Sequence, residues 1–172
     1  MNNTYQVPGF LSQDVYASVY FTVETLINEN LEKKKTPYSE HFTVEKDSSF
    51  MMLLDQFNDP LYDEIQDDVK ECFDYTVEKP EIAFFRIYRK NTKSNNPLPQ
   101  IDNISRNNEA ILLIQLDSSN PCQISVDGKD VYTERNMGML FLKPDEITWS
   151  QEEDFEDGDY SDFLLCRMSI KD

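Results

Sequence analysis

The sequence predicts an α+β fold in which helices come first and a set of antiparallel strands follows. Three observations carry this reading: apolar residues recur at helical spacing before about residue 80, short aromatic and β-branched runs follow, and an Asp127-Gly128 pair separates two of those runs. A chain of 172 residues fits a single domain, 1–172, divided into a helical layer over about 1–79 and a strand core over 80–172. Hydrophobic residues make up 39% of it, enough to build a core despite the charge, so a wholly disordered chain is disfavoured.

From Ser12 onward, Val15, Val19, Val23 and Leu26 fall on one helical face, with Ser12 placed to cap the free amides and Asp14 near the positive end. A helix over about Ser12 to Leu31 follows, broken by Lys33-Lys34-Lys35-Thr36-Pro37, a solvated helix end. Asp59-Pro60 reads as a cap followed by proline at the first helical position, and Leu61, Ile65, Val69, Cys72 and Phe73 share a face. The intervening Phe50 to Phe57 is apolar, and its periodicity fits a short helix or a buried loop.

Beyond Pro80 the strands are expected at Ala83 to Tyr88, Ala110 to Leu116, Cys122 to Val126, Asp130 to Thr133, Gly138 to Leu142, Glu146 to Ser150 and Asp162 to Ile170. Short loops join most of them, the pattern of an antiparallel barrel or sandwich. Asp127-Gly128 suits a two-residue hairpin turn of positive φ. The polar stretch Asn91 to Asn108 is the longest irregular segment of the second half.

A formal charge of −17 repels phosphates and anionic headgroups, which argues against direct nucleic-acid or membrane binding. Four glycines in the whole chain argue against phosphate-cradling loops. The three cysteines, Cys72, Cys122 and Cys166, lie in apolar runs and are expected as reduced thiols. Met1 to Tyr5 opens without a basic stretch leading into an apolar core, and no long apolar run occurs. The expectation is a cytoplasmic protein, or one packaged from an intracellular compartment.

Several strings resemble, in order and spacing, the prolyl-hydroxylase-like branch of the Fe(II)/2-oxoglutarate-dependent oxygenases. Val7-Pro8-Gly9-Phe10-Leu11-Ser12 resembles the family's start. Arg86-Ile87-Tyr88, a polar loop and Gln100-Ile101-Asp102 stand where it has a tyrosine strand, a loop and its His-x-Asp motif. Ala110 to Leu116 is similar to its apolar strand, and Gly138 to Trp149 to the glycine-led strand that ends at the distal histidine. The resemblance spans about Val7 to Ile170 and implies N-terminal helices packed on a distorted double-stranded β-helix, a jelly-roll, cupin-like core.

The same resemblance implies that the chemistry has been lost. Such enzymes hold Fe(II) with two imidazoles and one carboxylate. This chain has one histidine, His41, which lies between the two helices and matches neither motif position. Gln100 and Trp149 stand at the histidine positions, and only Asp102 of the implied ligands survives. Where the family places an arginine or lysine to pair with the co-substrate, the nearest residue is Asp159, whose charge would repel a dianion. No metal and no cofactor are expected. Arg167 is expected in a buried structural pair. Glu146 with Asp102 and Gln100 would offer oxygen donors to a hard cation, a minor reading.

Other catalytic classes find no support: no Gly-x-Ser-x-Gly elbow, no Cys-x-x-Cys and no second histidine. The acidic stretch from Gln151 to Asp162 reads as a solvated loop. Its functional reading is a docking surface for a basic protein partner, with Glu152, Glu153, Asp154, Glu156 and Asp157 supplying charge and Phe155 and Tyr160 the anchors. The favoured function is therefore a non-catalytic oxygenase-like protein-interaction or assembly module, able to oligomerise, with a phage virion or host-directed setting. Two other readings stand beside it: an oxygenase or cupin-like enzyme with unusual ligands, and an acidic nucleic-acid mimic that blocks a DNA-binding enzyme.

Overall fold

The structure, a computed structural model, describes residues 4–28, 34–35, 39–43, 58–78, 81–88, 90, 96–97, 108–144, 146–151 and 153–171. Helix α1 runs Gln13–Asn28. The Ser12 carbonyl accepts the Tyr16 N–H at 2.8 Å, which places Ser12 at the cap as expected. Val15, Tyr16, Val19 and Val23 form its buried stripe. Helix α2, Asn58–Phe73, buries Ile65 and Val69 completely. It ends where Asp74 turns to a φ of 58° and its N–H reaches the Lys70 carbonyl, closing the helix with a left-handed cap.

Among the described residues eleven strands accompany these helices: β1 Thr4–Val7, β2 Lys34–Lys35, β3 Ser39–Thr43, β4 Glu81–Ile87, β5 Asn96–Pro97, β6 Glu109–Ser118, β7 Gln123–Val126, β8 Lys129–Val131, β9 Gly138–Leu142, β10 Ile147–Ser150 and β11 Ser161–Ser169. They form a seven-stranded sheet in the order β1-β9-β6-β11-β4-β3-β2 and a four-stranded sheet in the order β5-β10-β7-β8. Every strand pairing within them is antiparallel. From β4 to β11 the chain passes back and forth between the sheets, the winding of a double-stranded β-helix. The β7–β8 connection is the expected tight hairpin, with Asp127 and Gly128 at φ 51° and 82°.

The near-unbroken apolar runs of β6 and β11 follow from burial on both faces. Ala110, Leu112, Ile114 and Leu116, with Leu164, Cys166 and Met168, pack under α1 and α2. Ile111, Leu113, Phe163 and Leu165 face the other way, into the space between the sheets, where they meet Ile124, Val126, Phe141, Ile147 and Trp149. Alternation of side chains along each strand thus builds two cores, one beneath the helices and one inside the barrel.

The first 79 residues supply strands as well as helices. β1 joins the large sheet beside β9, and β2 and β3 extend its other edge, where the sequence suggested only a helix break and a connection. The polar stretch after β4 likewise yields β5, paired with β10. Helix α1 is described as far as Asn28, and the rest of the expected helix, to Leu31, lies outside the described residues. Phe50 to Phe57 lies outside the described residues. Cys72, Cys122 and Cys166 are free thiols. Among the described residues, no helix is long and apolar enough to cross a membrane.

Candidate metal site and co-substrate anchor

Trp149 sits in β10, opposite Ile124 of β7 on one side and Asn96 of β5 on the other. The Asn96 side-chain amide donates to the Trp149 carbonyl at 3.4 Å. The indole is 3% exposed and belongs to the barrel interior with Phe141, Phe155 and Phe163, each fully buried. Gln100 and Asp102 lie outside the described residues, as does Glu152. The chain's one histidine, His41, is in β3 opposite Phe85, on the far side of β4 from β11.

The residues therefore do not fit a two-imidazole ferrous site. A two-imidazole site needs two histidines, and one histidine cannot supply two ligands. Among the described residues, no three His, Cys, Asp or Glu side chains gather closely enough to hold a metal ion. Glu146, weighed as an oxygen donor, is exposed and its N–H caps the Asp127 carboxylate at 2.8 Å.

Asp159 stands just before β11. Its carboxylate accepts the Ser119 hydroxyl at 3.0 Å and the Glu156 N–H at 2.9 Å. Those bonds, the backbone one foremost, hold its carboxyl below the usual range, so it is ionised at neutral pH. At the start of β11 itself stands Ser161, fully buried, with its hydroxyl oxygen accepting the Cys122 N–H at 3.4 Å. No cation occupies that position. Arg167, near the other end of β11, pairs with Glu109 at 3.1 Å, the structural pairing expected of it.

The acidic loop divides. Glu153, Asp154, Glu156 and Asp157 are exposed. Phe155 is not: at 0% exposure it turns into the barrel interior, so it plugs the core rather than anchoring a partner. Tyr160 is half-buried, and its hydroxyl donates to Asp117 at 2.8 Å, while Tyr20 of α1 donates to the same carboxylate oxygen at 3.2 Å. Beside it Arg135 donates from Nε to the Tyr16 hydroxyl at 2.9 Å, and that hydroxyl donates to the Leu116 carbonyl. Together these bonds clamp α1 and the loop before β11 to the end of β6.

Sequence reading missed a feature at the same end of the barrel. A cleft of about 460 Å³ is lined by Arg86, Tyr88, Asp157, Gly158, Asp159 and Tyr160. At its back the Arg86 guanidinium makes two bonds of 2.7 Å to Asp162 and lies 4.8 Å from the centre of the Tyr160 ring. The one local signal was the alternation Arg86-Ile87-Tyr88, which puts Ile87 in the interior and the two flanking residues on the opposite face.

The fold is that of the 2-oxoglutarate and Fe(II)-dependent oxygenases. A Pseudomonas putida prolyl-4-hydroxylase aligns over 100% of this chain and 95% of its own length at 13% identity, with a TM-score of 0.61. The Trichoplax adhaerens prolyl hydroxylase, solved with a hypoxia inducible factor peptide, aligns over 100% of this chain and 84% of its own at 10% identity and TM-score 0.61. HygX from Streptomyces hygroscopicus, solved with nickel and 2-oxoglutarate, aligns over 97% and 82% at 10% identity and TM-score 0.65. No family model matches the chain, and no curated protein matches its sequence. At these identities the likeness establishes the fold.

Proposed function

We propose that this protein is a non-catalytic member of the oxygenase fold, used as a protein-interaction or assembly module with a basic partner. The observation that carries the proposal is the barrel interior: Trp149, which the sequence resemblance sets at the distal-histidine position, is 3% exposed and packs in a cluster with three fully buried phenylalanines. A chain with one histidine cannot rebuild the missing ligand pair elsewhere. The interaction role rests on charge. With −17 overall and the exposed carboxylates of Glu153, Asp154, Glu156 and Asp157 on one loop, the surface attracts a basic partner and raises its association rate.

The competing reading, an oxygenase with unusual ligands, draws on the structural likeness to a protein solved with nickel and 2-oxoglutarate. Metal analysis of protein purified under nitrogen, with calorimetry of 2-oxoglutarate binding, separates the two. The non-catalytic reading expects neither stoichiometric iron nor a binding isotherm; finding both overturns it.

A further inference from the structure

We propose that the cleft between the end of β4 and the loop before β11 is the docking pocket for an arginine side chain presented by a protein partner. This rests on the interaction-module reading and assigns it a site. The cleft, about 460 Å³, falls in the range of ligand-sized pockets.

Its charges decide which group it takes. Arg86 is balanced by the bidentate pair with Asp162, whose side chain is only 5% exposed. On the rim, Lys90 pairs with Glu156 at 3.4 Å and donates to the Glu153 carbonyl at 3.0 Å. Asp157 and Asp159 have no cationic partner among the described residues. The Lys90 N–H occupies one Asp157 oxygen at 3.1 Å, leaving the other oxygen of that exposed carboxylate to accept from a ligand. Asp159 is fixed by Ser119 and Glu156, so its charge is held at the pocket wall without the entropy cost of ordering it on binding.

The aromatic walls favour arginine over lysine. Tyr160 carries one guanidinium, that of Arg86, at 4.8 Å from its ring centre, and Tyr88 lines the same cleft. A planar guanidinium stacks on such a ring while its N–H fork meets a carboxylate, whereas an ammonium gains only the point charge. Gly158, at φ 101°, turns the backbone between the two aspartates through a conformation that side-chain-bearing residues rarely adopt.

The test is a titration of isotope-labelled protein, followed by NMR, with an acetylated and amidated Gly-Arg-Gly peptide. Its neutral citrulline counterpart and the lysine counterpart serve as controls. The expected result is saturable shifts of the Gly158 and Tyr160 amides, at least roughly tenfold weaker with citrulline and weaker with lysine. Asp157→Asn, which removes a charge but no buried contact, should weaken arginine binding several-fold while leaving the rest of the spectrum unchanged; Tyr88→Ala supplies an independent variant. No saturable shift up to about 20 mM peptide, or equal shifts with citrulline, overturns the pocket assignment. Iron and 2-oxoglutarate binding are read separately, so the arginine pocket and the non-catalytic reading fail through different measurements.

Discussion

The Asp162 carboxylate grips the Arg86 guanidinium through two 2.7 Å bonds, directly across the β4–β11 ladder. Asp162 is 5% exposed at its side chain, so this is a shielded pair and not a surface ornament. Replacing Arg86 by alanine deprives a buried carboxylate of its guanidinium and should cost about 3 kcal/mol. The double variant Arg86→Met with Asp162→Leu should recover most of that loss. Urea unfolding of the single and double variants checks this; equal stability of Arg86→Ala and the parent would contradict it.

Gly138 opens β9 directly against Phe10. A side-chain carbon built there would overlap the Phe10 ring and approach its Cβ to 2.9 Å. Phe10 is itself 5% exposed in the helix-side core and hydrogen-bonded through its N–H to the Asn136 carbonyl, so it cannot easily retreat. Gly138→Ala should therefore destabilise by about 1–3 kcal/mol, the usual cost of overpacking. Adding Phe10→Leu should restore part of the loss, as thermal melting would show.

Burial pushes the Cys122 and Cys166 thiols from 9.0 up to about 12. A raised folded-state value means the folded protein holds its proton where the unfolded chain has lost it. The stabilisation is fully present below about pH 9 and is lost as pH rises toward 12. Tyr20 acts in the same direction, pushed up to about 12 by burial and the Asp117 charge. Stability should thus decline through this alkaline window. At pH 8 a disulfide reagent should leave Cys122 and Cys166 untouched in the native state, with Cys72 reacting slowly because burial and then the Asp68 and Glu71 charges raise its thiol. Rapid reaction of all three thiols would contradict the packing described.

What could be read from the sequence was local. Asp127-Gly128 announced its turn because positive φ is a property of those two residues, and the β6 and β9 runs announced themselves by burial on both faces. Strands whose existence depends on a distant partner were not legible. β1 is held by β9, and β2 and β3 by the edge at β4; nothing in Thr4–Val7 or Ser39–Thr43 encodes that pairing. Phe155 misled because its neighbours are carboxylates. In a loop without strand alternation, one aromatic ring can dive into the barrel while Asp154 and Glu156 stay in water. The cleft was invisible for the same reason: Arg86 and Asp162 meet only through sheet register.

The central claim is that the barrel interior is filled and takes neither metal nor co-substrate, and Trp149 reports on it directly as the chain's one tryptophan. Its fluorescence should be followed under nitrogen while Fe(II) and then 2-oxoglutarate are added to the native protein. The account predicts a blue-shifted emission, as expected of a buried indole, that neither addition alters. A saturable, stoichiometric quench on adding Fe(II), deepened by 2-oxoglutarate, would place an iron site beside the indole and contradict it.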